Sequence, residues 1–141
     1  MKKYLKTMIV DDEEVAADLL EIMLNKLGVK NIATASTGRQ ALDMFDESLK
    51  NGSPYSLVFL DIMMPEMNGQ EILKQMRSAE KEAGIASFDR STIIMTTALT
   101  STDAMVEAIF EGDCSDYLVK PVSSEYLREM LANNGFISVS R

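Results

Sequence analysis

Short apolar runs alternate with longer amphipathic stretches five times along this chain, and few folds accommodate that rhythm. The runs predict strands over residues 5–10, 31–35, 57–60, 92–96 and 117–119. The stretches that follow predict helices over 14–27, 38–50, 69–83, 101–111 and 123–132. Leu57-Val58-Phe59-Leu60 lacks polar alternation, as a strand covered by helices on both faces must. In the first helix Val15, Leu19, Ile22, Met23 and Lys26 recur at helical spacing. Repeated βα units joined by right-handed crossovers imply one parallel sheet in a doubly wound α/β domain. At 141 residues a single domain is expected over 1–141, with its core at about 5–132 and a short tail over 133–141. The stretches "KNGSPYS" and "EAGIASFDRS" read as surface loops, and "NNGFISVSR" is too short for a second domain.

Composition removes several function classes. Acidic side chains outnumber basic ones 22 to 14, for a net charge of −8, and no basic stripe offers itself to nucleic acid or to an anionic membrane. The single cysteine, Cys114, excludes an internal disulfide. Lys2, Lys3 and Lys6 precede too few apolar residues for a signal-peptide core, so a cytoplasmic location is expected. With no histidine, the chain lacks Ser-His-Asp triads, Cys-His dyads and imidazole metal ligands. Carboxylate, hydroxyl and lysine chemistry remain.

In open α/β sheets ligands bind outside the carboxyl ends of the strands. The first predicted strand runs into Asp11-Asp12, the third into Asp61, the fourth into Thr96-Thr97 and the fifth into Lys120-Pro121. Clustered carboxylates repel one another unless a cation sits among them, and an oxygen-rich site without histidine suits Mg²⁺. A metal, a lysine, a hydroxyl and a carboxylate together supply charge neutralisation, a hydrogen-bond donor and a nucleophile for a phosphoryl group. Asp61 is the candidate acceptor.

Each residue also has a plainer reading. Asp11 and Glu14 match a capping box, Asp61 can open a turn, Lys120 can be a solvated lysine before a rigid proline, and Thr97 suits a strand by propensity. The joint pattern of four polar strand ends favours function.

The segments "MIVDDEE", "ATASTGRQAL", "LVFLDIMMPEMNGQEIL", "IIMTTALT" and "DCSDYLVKPV" resemble, in order, those of response-regulator receiver domains of two-component signalling. The resemblance implies a flavodoxin-like (βα)5 fold with a five-stranded parallel sheet in order 2-1-3-4-5. It implies that Asp61 accepts a phosphoryl group from a histidine on a sensor kinase or histidine phosphotransfer protein. Asp11, Asp12, Asp61 and the backbone carbonyl of Met63 would hold Mg²⁺. Thr97 would hydrogen-bond the phosphoryl group, Lys120 would pair with it, and Tyr117 would be an aromatic switch. The Lys120-Pro121 bond is a candidate cis peptide. The output would be a downstream protein or self-association through a face spanning 101–132, with no direct role for nucleic acid or membrane.

Against the family pattern, the loops before strands three and four are longer and Cys114 stands where a small residue is usual. A rival is a Mg²⁺-dependent phosphohydrolase of the haloacid dehalogenase type, which needs a general-acid aspartate two residues after the nucleophile; here that residue is Met63. A third possibility is a degenerate receiver that only binds partners.

Overall fold

The structure, a computed structural model, describes residues 5–97 and 114–138. The helix expected over 101–111, with Leu99 and Met105, lies outside the described residues. The elements are β1 (Lys6–Val10), α1 (Glu14–Lys26), β2 (Asn31–Ala35), α2 (Gly38–Lys50), β3 (Leu57–Asp61), α3 (Gly69–Glu82), a 3-10 turn (Ser87–Asp89), β4 (Thr92–Thr97), β5 (Asp116–Val119) and α4 (Ser124–Asn133). The five strands are all parallel and run β2-β1-β3-β4-β5. Where sequence and structure differ in the described elements, the boundaries move by one residue.

Side chains alternate across β3, which explains its unbroken apolar run. Val58 and Leu60 join Phe45, Ile72 and Met76 on the α2–α3 side, while Leu57 and Phe59 join Leu20, Leu24, Leu127 and Leu131 on the α1–α4 side. Three helix starts are capped by side chains. Thr37, Asn68 and Ser123 accept the backbone N–H of Gln40, Glu71 and Tyr126.

The face of α1 departs from the expected one. Ala17, Leu20 and Leu24 are buried, whereas Val15, Leu19 and Ile22 are 72%, 52% and 50% exposed. The helix carries two apolar stripes, and burying Leu20 and Leu24 against Phe59 leaves the other facing solvent. The expected loops and tail are also more than surface. Tyr55 and Ser91 are buried, and Phe136 joins the core where Gly135, at φ +78, turns the chain after α4 and lets the Phe136 N–H reach the Leu131 carbonyl at 2.9 Å.

Candidate functional site

The carboxyl ends of β1 and β3 lie side by side, because Val10 pairs with Leu60, and each strand runs directly into an aspartate. Asp11 and Asp61 are both buried and are held in matching ways. Asp11 Oδ1 accepts the Glu13 N–H at 2.9 Å, and Asp61 Oδ1 accepts the Met63 N–H at 3.1 Å. These are Asx turns, so Asp61 does open a turn and is also presented at the strand tip. The capping box anticipated for Asp11 and Glu14 is not formed. The residue preceding α1 is Glu13, without a side-chain cap, because the Asp11 carboxylate is already committed to the Glu13 N–H.

The second oxygen of each aspartate faces the same lysine. Lys120 Nζ donates to Asp11 Oδ2 at 2.8 Å and to Asp61 Oδ2 at 3.3 Å. Lys120 is itself anchored through its backbone, where its N–H reaches the Thr97 carbonyl at 2.7 Å, and the bond to Pro121 is cis. Asp12 is exposed beside this pair, and ligand oxygens from Asp11, Asp12 and Asp61 all lie within 4.8 Å of one another. Three carboxylates thus lie together, and two of them share one ammonium group.

That imbalance is visible in the protonation energetics. Burial raises the pKa of Asp61 above the ordinary aspartate value, against the lowering effects of the Lys120 charge and the Met63 N–H, while the Asp11 charge adds to the rise. For Lys120, burial favours the neutral amine, but the hydrogen bond to Asp11 and the charges of both aspartates outweigh it. Its pKa is raised, and the ammonium form is secured.

Thr97 is buried at the end of β4, and Tyr117 is half-buried, packed against the α2–α3 core cluster. Met63, whose N–H is held by Asp61, is 57% exposed. The fold therefore brings Asp11, Asp12, Asp61, Met63 and Lys120 together directly, with Thr97 joined through the Lys120 backbone.

One positioning residue escaped the sequence reading. A Cβ on Gly69 would stand 2.3 Å from the Asp61 carbonyl oxygen, so only glycine lets α3 begin against the tip of β3. The Gly69 N–H closes this contact on the Ile62 carbonyl at 2.9 Å. The Asn68-Gly69 pair signals a turn, but not how closely the two backbones approach.

A set of carboxylates, a lysine and a strand-end threonine at a sheet's carboxyl edge can hold a divalent cation and receive an anionic group. Comparison with known proteins places this arrangement in a family. The response regulator receiver domain family matches residues 7–132. The hybrid signal transduction histidine kinase L of Dictyostelium discoideum is 29% identical over 92% of this chain, which spans 7% of that kinase. A chemotaxis protein CheY homolog of Campylobacter jejuni is 28% identical over 90% of this chain and 89% of its own. The receiver domain of the histidine kinase CKI1 from Arabidopsis thaliana, complexed with Mg²⁺ and BeF3⁻, superimposes with a TM-score of 0.77 at 26% identity, covering 91% of this chain and 90% of that one. The sheet order is that of these receiver structures, and the chain belongs to the response regulator receiver domain family.

Proposed function

We propose that this chain, as one receiver unit spanning 1–141 with its core at about 5–132, is a phosphorylation-dependent switch whose acceptor is Asp61. The observation that carries the reading is the convergence of three carboxylates within 4.8 Å of one another at the strand tips, two of them paired with one lysine. A buried surplus of negative charge destabilises a fold unless a cation or a reaction uses it.

The donor is a phosphohistidine on a sensor kinase or phosphotransfer protein, since this chain has no histidine of its own. An Asp61 oxygen forms the new bond to phosphorus, the phosphorus–nitrogen bond to the donor imidazole breaks, and the imidazole nitrogen keeps the electron pair and takes up a proton. Lys120, already 3.3 Å from Asp61, pairs with the phosphoryl oxygens, and Thr97 donates its hydroxyl to them. The donor set fits Mg²⁺: Asp11, Asp12, Asp61 and the Met63 carbonyl offer only oxygen, and the Mg²⁺ complex of the 26% identical Arabidopsis receiver supports the same choice. When bound, Mg²⁺ supplies charge neutralisation for the carboxylates and the phosphoryl group.

Phosphorylation adds about −1.5 to −2 charges at the strand tips. Thr97 is drawn toward them and Tyr117 turns into the space vacated, a choice between two packings that alters the face spanning 101–132. That face meets a downstream protein or a second copy. The setting is the cytoplasm; among the described residues no helix is long and apolar enough to cross a membrane. The phosphohydrolase reading is weaker, because Met63 occupies the general-acid position and is in no state to donate a proton.

The test is incubation with phosphoramidate and Mg²⁺, followed by intact mass. A single stable phosphoryl group that requires Mg²⁺ and disappears in Asp61→Asn is expected. Turnover with steady phosphate release would establish the phosphohydrolase, and an unmodified parent would establish a binding-only receiver.

A further inference from the structure

The stretch before β4, longer than the family pattern, is pinned to the amino end of the sheet. The Ser91 N–H reaches the buried Glu80 at 2.7 Å, the Ser91 hydroxyl donates to the Tyr55 carbonyl, and the Asp89 N–H closes the 3-10 turn on the Ala86 carbonyl at 2.9 Å. The turn so fixed holds Phe88 88% exposed beside a hollow of about 350 Å³. Arg77, Arg90, Ser87, Ser91 and Ser115 help to line it; among the described residues no carboxylate does, although the chain carries a net charge of −8. Arg77 is set in place, since its Nη1 donates to Glu80 Oε1 at 2.8 Å and to the Ser91 carbonyl at 2.9 Å. Its Nη2 lies 3.5 Å from Ser115 Oγ, which also accepts the Ile93 N–H at 3.1 Å. Among the described residues the Ser115 hydroxyl thus accepts twice and keeps its proton to donate.

From this geometry we propose that the hollow binds a small phosphate ester that carries a flat ring, a nucleoside monophosphate being the type. Guanidinium groups and a hydroxyl on three separate side chains, Arg77, Arg90 and Ser115, supply positive charge and donors for the oxygens of one phosphate. The exposed phenyl of Phe88 supplies a face on which the ring stacks. A volume of about 350 Å³ lies at the lower end of small-molecule sites and holds one ring with one phosphate. An acidic protein segment is a poorer occupant. Asp89 and Asp116 stand next to Arg90 and Ser115 in the chain, and they repel a string of carboxylates, whereas a single phosphate stays among the donors. Thr92, also in the lining, begins the strand that Thr97 ends, so this site lies at the opposite end of β4 from the acceptor and is independent of the phosphoacceptor reading.

Amide NMR titrations of the metal-free protein test both halves of the ligand. The probes are adenosine monophosphate, ribose 5-phosphate, adenosine and a glutamate-rich peptide. Without metal the clustered carboxylates at the strand tips repel anions, so shifts near Asp11 and Asp61 are expected to be absent. Adenosine monophosphate is expected to move the amides of Ser87, Phe88 and Ser115 in a saturable way, and to bind about fivefold or more tighter than ribose 5-phosphate. Phe88→Ala should erase that difference while leaving ribose 5-phosphate within about twofold of the parent. Arg90→Gln should weaken both phosphates by about tenfold and leave adenosine unchanged. Urea unfolding of each variant checks that its stability matches the parent, and the probe series on the parent alone stands whether or not a variant folds. Absence of saturable shifts in the parent overturns the proposal, as do shifts confined to the strand tips. Equal affinity for adenosine monophosphate and ribose 5-phosphate removes the ring from the ligand and overturns it in that form. Tighter binding of the peptide than of either phosphate would give the hollow to a protein segment instead.

Discussion

The two ends of the sheet both bury charge, and they balance it differently. At the amino end Glu80 is 1% exposed, yet Arg77 Nη1 donates to its Oε1 at 2.8 Å and the Ser91 N–H to its Oε2 at 2.7 Å. The same guanidinium reaches the Ser91 carbonyl at 2.9 Å, and the Ser91 hydroxyl donates to the Tyr55 carbonyl. Among the described residues a guanidinium pairs with this carboxylate, and the network joins α3 to the starts of β3 and β4. At the carboxyl end one lysine is divided between Asp11 and Asp61, with Asp12 beside them. Burial of a charge is thus no sign of function by itself. What distinguishes the proposed working end is the carboxylate charge in excess of the one lysine paired with it among the described residues.

The largest effect should come from opening the balanced end. Glu80→Ala strands Arg77 and the Ser91 N–H, and breaking a buried pair in this way costs about 3 kcal/mol or more. A lowered urea midpoint, with phosphoramidate labelling of the folded fraction unchanged, would show that the Glu80 pair serves the fold and not the acceptor. Loss of labelling without loss of stability would erase the distinction between the two ends.

At the other end, Lys120→Ala removes the cation that links Asp11 to Asp61 and leaves the carboxylates facing one another. Mg²⁺ should bind about threefold more tightly or better, since the ammonium that competes for the Asp11 and Asp61 oxygens has gone. Labelling of Asp61 should persist at a reduced rate, while phosphorylation no longer changes partner affinity or NMR shifts around Tyr117. Isothermal titration together with spectra before and after phosphoramidate reads both. Abolished Mg²⁺ binding would mean that Lys120 organises the metal site rather than reporting the phosphoryl charge.

A smaller effect is expected on stability against pH. The folded-state pKa of Asp61 is raised, so the folded protein holds a proton that the unfolded chain has released, and stability falls as pH rises through the carboxylate range. The deficit remains at neutral pH. Metal-free Asp61→Asn should therefore melt a few degrees above the parent at neutral pH, and the gap should close on acidification. Mg²⁺ should raise the melting temperature of the parent more than that of the variant. A variant less stable than the parent at neutral pH would place Asp61 among balanced charges, like Glu80.

The smallest change concerns lifetime. Met63, two residues after Asp61, is apolar and exposed, so it offers no hydrogen bond to an incoming water, and its bulk is expected to restrict in-line approach. Met63→Asn should shorten the half-life of the phosphorylated protein several-fold in a chase after phosphodonor removal, with labelling otherwise intact. An unchanged half-life assigns control of water to other residues.

Local pattern carried most of the architecture. The βα rhythm, the helix starts marked by Thr37, Asn68 and Ser123, and the polar residues closing β1, β3, β4 and β5 are properties of short stretches, because strand periodicity and capping act over a few residues. Those strand ends were legible as a candidate site because parallel strands deliver their carboxyl ends to one edge. The strand order came from family resemblance, since residue patterning alone does not say which neighbours pair.

Tertiary structure decided what depends on distant partners. Which stripe of α1 is buried followed from packing Leu20 and Leu24 against Phe59, when Val15, Leu19 and Ile22 were spaced as well for the purpose. The same holds for Glu80 meeting Ser91, for Phe136 turning into the core, and for the close approach of Gly69 to Asp61. Above all, Asp11, Asp61 and Lys120 are ordinary residues in sequence. Only the sheet brings an ammonium group to two carboxylates across 109 and 59 residues of chain, and only there does their charge fail to balance.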